Sequence, residues 1–116
     1  MRPGMVPEVV IGQAQGGFAM GVSYALFESL PLYGDGPGNG KWNLGQYRVA
    51  RGSDLPLNGL ETEVLPPIDP AEPPKGMAEA VIIPVVPALL NAIYDATGHR
   101  FQSLPVTQAM IKRSLK

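Results

Sequence analysis

A lone glutamate, Glu79, precedes an apolar run and is the first candidate for acid–base chemistry in this chain. The run is Ala80-Val81-Ile82-Ile83, and Lys75 is the nearest charged residue before the glutamate. A carboxylate is costly to place at the entrance to an apolar element, and such a position could make it a general base near neutral pH. The alternative is a solvated glutamate, which the helix dipole favours just before a helix.

Gln13 is the second candidate, because it lies in the glycine-rich stretch Gly12-Gln13-Ala14-Gln15-Gly16-Gly17. A side-chain amide offers donors and an acceptor in one plane, which suits the edge of a heterocycle, and glycines let a ligand contact the backbone. The alternative is a glutamine that faces water, with Gly16 and Gly17 serving helix packing. The glycine spacing fits neither a P-loop nor a dinucleotide-binding fingerprint.

The composition limits the classes of function that the chain can perform. Its 116 residues suffice for one domain, and 9 basic against 10 acidic residues give a formal net charge of −1. This balance predicts neither a nucleic acid nor a membrane surface as a partner. The chain has no cysteine and one histidine, His99, so we expect no disulfide, no zinc or iron–sulfur site and no metal held directly by protein ligands.

The N-terminal residues carry no apolar core of the kind that signal peptides have, so we expect a cytoplasmic location. Residues 16–30 are apolar but short, and glycines and polar residues interrupt them. We therefore expect no membrane-spanning segment there.

The elements that must position the candidate residues begin with a helix over residues 12 to about 30. Its apolar stripe and a strip of small residues both repeat at intervals of four: Phe18, Val22 and Leu26 in the stripe, and Gly17, Gly21 and Ala25 in the strip. Glycine in a helix costs about 1 kcal/mol relative to alanine. Such a strip is expected where a ligand or another helix approaches the backbone.

Residues 42–49 and 60–65 are predicted as two strands, with a loop over 52–58 between them and an extended proline-rich connector over 66–74. A second helix is expected to begin near residues 83–87, because proline is tolerated in a first turn, and to end at Thr97 before Gly98. Thr107 could cap a short C-terminal helix. The predicted fold class is α+β, one domain over residues 1–116, with two main helices and a small antiparallel sheet.

Five motifs in the same order resemble the C-terminal part of the molybdopterin-binding large subunit of the xanthine dehydrogenase and aldehyde oxidase family. The resemblance extends from about Val9 to Thr107, nearly the whole chain. The motifs are the stretch 12–28, Tyr47-Arg48-Val49 with Asp54-Leu55-Pro56, Lys75-Gly76-Met77-Ala78-Glu79, the stretch 91–98, and Leu104-Pro105-Val106-Thr107.

The resemblance implies a fold that is a piece of a larger molybdenum-binding domain, and a role for each candidate residue. Gln13 would bond the pterin of a molybdopterin cofactor, with Gly12, Gly16 and Gly17 also binding the cofactor. Glu79 would be the catalytic base that deprotonates a water or hydroxide on the molybdenum. The cofactor brings its own sulfur ligands to the metal, which agrees with a chain that has no cysteine.

The family's large subunit is several times longer than this chain, so we expect the chain alone to be inactive and to hold no cofactor. The expected partners are the upstream part of the large subunit, a second copy of the chain, or both. The alternative function is a stand-alone oligomeric or partner-binding module without catalytic activity. In either case the small strip is expected to lie bare on the isolated chain and to be covered by a partner.

Overall fold

The structure is a computed structural model that describes residues 6–30, 45–73 and 75–115, without the side chain of Leu57. Within these residues the chain forms three α-helices: α1, Pro7–Leu26; α2, Val85–Thr97; and α3, Gln108–Ser114. Three short 3-10 turns lie between α1 and α2, at Gly52–Asp54, Leu57–Gly59 and Glu79–Val81.

Helix α1 begins five residues before the predicted start and ends about four before the predicted end. Pro7 is its first residue, a position where the missing N–H and the fixed φ of proline cost little. Glu8 lies in the first turn, where the helix dipole favours a carboxylate. At the other end, the backbone N–H groups of Phe27 and Glu28 both donate to the carbonyl oxygen of Ser23, which closes the helix.

The predicted ends of α2 and α3 are confirmed. Pro84 lies at the N-cap of α2, and Gly98 ends that helix with φ 69°, a left-handed conformation that glycine adopts without strain. The Gly98 N–H donates to the carbonyl of Tyr94 at 2.7 Å. The side chain of Thr107 caps α3 by accepting a hydrogen bond from the N–H of Met110 at 3.3 Å.

The predicted antiparallel sheet is wrong, because no strand forms among the described residues. Residues 45–49 form a turn and irregular backbone, and residues 60–65 are irregular throughout; residues 42–44 of the first predicted strand lie outside the described residues. The reason lies partly in α1: the N–H of Ala50 donates to the Ser23 hydroxyl at 2.9 Å, so this segment bonds to a helix side chain. Alternating residues form a stable strand only with paired neighbours.

The C-terminal half of α1 is the centre of the described structure. Its buried positions include Val22 and Ala25, and Ala25 is completely covered. Val106, which is 1% exposed, reaches this helix from the C-terminal segment, and its N–H donates to the carbonyl of Ala25 at 2.7 Å. Ser23 is the buried polar residue of this group, and its hydroxyl is satisfied by the bond from Ala50.

The strip of small residues on α1 is covered by the chain itself, so the expectation of a bare strip is wrong. A Cβ placed on Gly21 would meet Cγ1 of Val85 at 2.5 Å, and one on Gly17 would meet Cβ of Val81 at 2.9 Å. Both distances are shorter than side-chain carbons tolerate, so glycine is what permits this approach. At Gly21 the approaching element is another helix, α2, which is one of the two predicted occupants; at Gly17 it is the 3-10 turn Glu79–Val81.

One segment of the described chain is long and apolar enough to cross a membrane, judged by length and composition alone. It is Glu79–Thr97, with a mean hydropathy of 1.6. Core helices of water-soluble proteins share these properties but are mostly buried, whereas 6% of this stretch is buried; it contacts α1 through Val81 and Val85. The absence of a membrane partner therefore stays a prediction.

Candidate functional site

Gln13 lies on the exposed surface of α1, about one turn before Gly17. Because residues four apart occupy the same helix face, Gln13 continues the row formed by Gly17, Gly21 and Ala25 towards the N-terminus. No hydrogen bond to its amide occurs within the described part of the chain, and its residue is exposed. The amide is therefore available to a ligand that approaches this end of the row.

The glycines around Gln13 divide into two groups. A Cβ on Gly12 or on Gly16 would meet no atom within 4 Å, whereas the corresponding space at Gly17 is filled by Val81. A ligand can thus approach the backbone at Gly12 and Gly16. At Gly17 the Cβ space is filled by protein.

Glu79 begins the 3-10 turn Glu79–Val81, just before α2, and its side chain is exposed. Its carbonyl accepts a hydrogen bond from the N–H of Ile82 at 3.1 Å. Lys75 forms an ion pair with Glu72 at 3.6 Å. Among the residues that the structure describes, none donates to the Glu79 carboxylate, so this group is free to accept a proton from a bound molecule.

The pairing of α1 with the segment of Glu79 relates the positions of Gln13 and Glu79 along the two elements. Gly17 lies against Val81 and Gly21 lies against Val85, so a step of four residues along α1 matches a step of four in the same direction on the second segment. The two segments therefore run parallel. On α1, Gln13 precedes Gly17 by one turn, about 6 Å along the axis, and on the second segment Glu79 precedes Val81 by two residues.

Other parts of the described structure offer different chemistry. An open cavity of about 640 Å³ lies between the segment after α2 and α3, and its lining includes His99, Arg100 and Arg113. It contains neither Gln13 nor Glu79. No group of three or more histidine, aspartate or glutamate side chains that could hold a metal ion occurs in the described ranges.

The segment after residue 45 is fastened to the end of α1 by polar contacts. The hydroxyl of Tyr47 donates a hydrogen bond to the carboxylate of Glu28, and the guanidinium of Arg48 lies 4.7 Å from the ring centre of Phe27. The bond to Glu28, with burial and the charge of Glu28 as smaller causes, raises the pKa of Tyr47 above its ordinary value of 10.0.

We expect the hydrogen bond between Tyr47 and Glu28 to be lost in alkaline solution. Because the pKa of Tyr47 is raised on folding, the stability from its hydrogen bond is fully present below about pH 10 and disappears as the pH rises through the folded value. Titration of tyrosine absorbance should show a step above pH 10 that Tyr47→Phe removes and Tyr94→Phe keeps. Identical titration curves for the two variants would contradict the role of Glu28.

The chain is similar over most of its length to large oxidoreductase subunits. It is 32% identical over 109 residues to a nicotinate dehydrogenase subunit of Pseudomonas putida, covering 94% of this chain and 9% of the relative. It is 35% identical over 102 residues to the putative xanthine dehydrogenase molybdenum-binding subunit XdhA of Escherichia coli, covering 87% of this chain and 13% of that protein. No protein-family model matches the chain.

A third relative is the membrane-bound aldehyde dehydrogenase [pyrroloquinoline-quinone] of Gluconacetobacter polyoxogenes, 33% identical over 110 residues, with 95% of this chain and 13% of the relative covered. The chain spans about a tenth of the length of these proteins. It thus corresponds to a segment of an oxidoreductase large subunit. The chain belongs to the family of xanthine dehydrogenase molybdenum-binding subunits, which is the xanthine dehydrogenase and aldehyde oxidase family that the sequence motifs predicted.

Proposed function

We propose that this chain supplies the general base and one cofactor contact of a molybdopterin-dependent hydroxylase or dehydrogenase. Glu79 is the base, and Gln13, with the backbone at Gly12 and Gly16, binds the cofactor. The observation that supports the proposal is the parallel pairing of α1 with the segment of Glu79, in which Gln13 precedes the Gly17–Val81 contact on one element and Glu79 precedes it on the other. The Gln13 amide is exposed, and no residue that the structure describes donates to the Glu79 carboxylate.

The residues present fit a molybdenum atom that is held by an organic cofactor. Such a cofactor brings its own metal ligands, so the protein needs hydrogen-bonding groups and open space. The amide of Gln13 and the open backbone at Gly12 and Gly16 provide both. A metal bound directly by side chains would need a cluster of ligands, and the described residues contain none.

Each residue has a separate task in this proposal. The cofactor, when bound, supplies the redox centre that takes electrons from the substrate. Gln13 orients it through the donors and the acceptor of its amide. Glu79 accepts a proton at a carboxylate oxygen as the substrate is oxidised, a contribution that is typically worth about 10²–10⁴-fold in rate. Lys75 pairs with Glu72, and within the described ranges no cation pairs with the Glu79 carboxylate, which suits a base.

We further propose that the chain is inactive alone and acts together with the remainder of a large subunit. The support is the small interior of the described part, in which the buried residues are Gly21, Val22, Ser23, Ala25 and Val106. A compact domain of this length buries most of the surface that its unfolded chain exposes. The expected cytoplasmic location is part of the same proposal.

The purified chain should therefore contain no molybdenum, because Gln13 and Glu79 are only two contacts of a site that needs more surface than this segment offers. Metal analysis of the chain purified alone should give molybdenum well below one atom per chain. The same analysis of the chain copurified with the remainder of a large subunit should give molybdenum near stoichiometry. Stoichiometric molybdenum in the isolated chain, or pyrroloquinoline quinone in place of molybdenum in the assembly, would contradict the proposal.

The stand-alone module receives less support than this proposal. From the sequence, the expected self-association surface was the strip of Gly17, Gly21 and Ala25. The chain itself covers this strip with Val81, Val85 and the C-terminal segment. The strip therefore supplies no apolar surface for a second copy.

A further inference from the structure

The contact between Gly17 and Val81 lies between the two proposed site residues. Gly17 is one turn after Gln13, and Val81 is two residues after Glu79. We infer that Gly17 is a positioning residue that sets the location of Glu79 relative to Gln13, an inference that rests on the proposed function for its catalytic meaning. The bare backbone of Gly17 lets Val81 lie directly on α1, and this contact fixes the turn that carries the base.

The distances show why glycine is required for this contact. A Cβ on Gly17 would lie 2.9 Å from Cβ of Val81, 3.0 Å from its Cγ1 and 3.5 Å from the backbone nitrogen of Ile82. The nearest atom is the Cβ of Val81, which is attached to the backbone, so a change of rotamer cannot move it away. Relief of the overlap requires the backbone of the 3-10 turn to move relative to that of α1.

Movement of Val81 would be transmitted to Glu79. The two residues belong to one 3-10 turn, and the N–H of Ile82 bonds to the carbonyl of Glu79 at 3.1 Å. The next contact of the pair, Gly21 against Val85, holds the start of α2 in the same register. With α2 held at that point, a displacement at Val81 is directed towards Glu79.

The chain offers a matched control for this inference. Gly16 lies one residue before Gly17 in the same helix, and a Cβ there would meet no atom within 4 Å. Gly17→Ala and Gly16→Ala thus make the same change in helix propensity. Only the first introduces a contact with the turn of Glu79.

The first experiment records the amide NMR signals of the ¹⁵N-labelled chain, a readout that does not depend on catalysis. Gly17→Ala should shift the amide signals of Glu79 and Ile82, and Gly16→Ala should leave them at their original positions. Val81→Gly removes the atom that overlaps, so Gly17→Ala combined with Val81→Gly should return the Glu79 signal towards that of Val81→Gly alone. Equal shifts from the two alanine variants, or no rescue by Val81→Gly, would overturn the inference.

The second experiment measures turnover and cofactor content of the large subunit that contains this segment. Gly17→Ala should lower kcat by about 10²-fold, as a displacement of about 1 Å does at a reacting group, while the molybdenum content and KM stay near those of the parent. The double variant with Val81→Gly should recover part of kcat. An unchanged kcat for Gly17→Ala overturns the inference. An unchanged kcat for Glu79→Gln overturns the proposed function. In that second case the amide shifts still test whether Gly17 positions the turn of Glu79.

Discussion

Glu79→Gln in the assembled enzyme should keep the cofactor and lower kcat by about 10²–10⁴-fold. The amide has nearly the same shape as the carboxylate but cannot accept a proton. Glu79 is exposed and begins a 3-10 turn whose bonds involve backbone atoms, so the substitution removes no contact of the fold. The expected loss is therefore in the chemical step and not in stability.

Steady-state kinetics and metal analysis of the same preparation test this expectation. The matched control is Glu63→Gln, which makes the same chemical change at an exposed residue that belongs to neither α1 nor α2. That variant should keep the kcat and molybdenum content of the parent. If Glu79→Gln retained full turnover with the cofactor loaded, Glu79 would be a solvated carboxylate placed before a helix, which is the alternative that its sequence leaves open.

The helix ends were predictable from the sequence because each depends on one residue and its immediate neighbours. Gly98 adopts the left-handed conformation that ends α2, and Thr107 bonds to the N–H three residues later. Both effects are local, so a residue type at a given position is sufficient to predict them. The start of α1 at Pro7 carried the same kind of signal, a proline followed by Glu8, and the prediction missed it.

The sheet could not be judged in the same way, because a strand needs a partner that local sequence does not contain. Residues 60–65 alternate as a strand would, yet they have no paired neighbour among the described residues. Around Ala50, the backbone bonds to Ser23, and nothing in the sequence near Ala50 predicts a helix hydroxyl as its partner. Non-local partners decided both outcomes.

The candidate site was predictable only in part, because the relative position of its residues depends on contacts between distant parts of the chain. The types of Gln13 and Glu79 indicated an amide and a base, and the family resemblance gave their roles. Their relation to each other depends on the packing of Val81 and Val85 on α1, and these two contacts were not predicted. Val81 and Val85 lie four residues apart, as Gly17 and Gly21 do. This shared spacing is the sequence signal that could have predicted the contact.

Gly21→Ala should destabilise the chain by about 1–3 kcal/mol, the usual cost of inserting a carbon atom into a filled interior. The new Cβ would overlap Cβ of Val85 and would lie 2.5 Å from Cγ1 and 3.2 Å from Cγ2 of the same side chain. The three nearest atoms all belong to one β-branched residue, whose χ1 has little freedom in a helix. The two helices must therefore separate at Gly21, which is buried in the folded chain.

Gly16→Ala should instead raise the free energy of unfolding. Its Cβ meets no atom within 4 Å, and alanine is about 1 kcal/mol more favourable than glycine inside a helix. Urea unfolding of the chain, followed by circular dichroism at the helix band, measures both changes in the free energy of unfolding. The double variant Gly21→Ala with Val85→Gly should lose less free energy of unfolding than the two single variants lose in sum, since the overlapping atoms are gone. Equal stabilisation by Gly16→Ala and Gly21→Ala would mean that α1 and α2 do not pack through Gly21, and the parallel pairing that relates Gln13 to Glu79 would then be wrong.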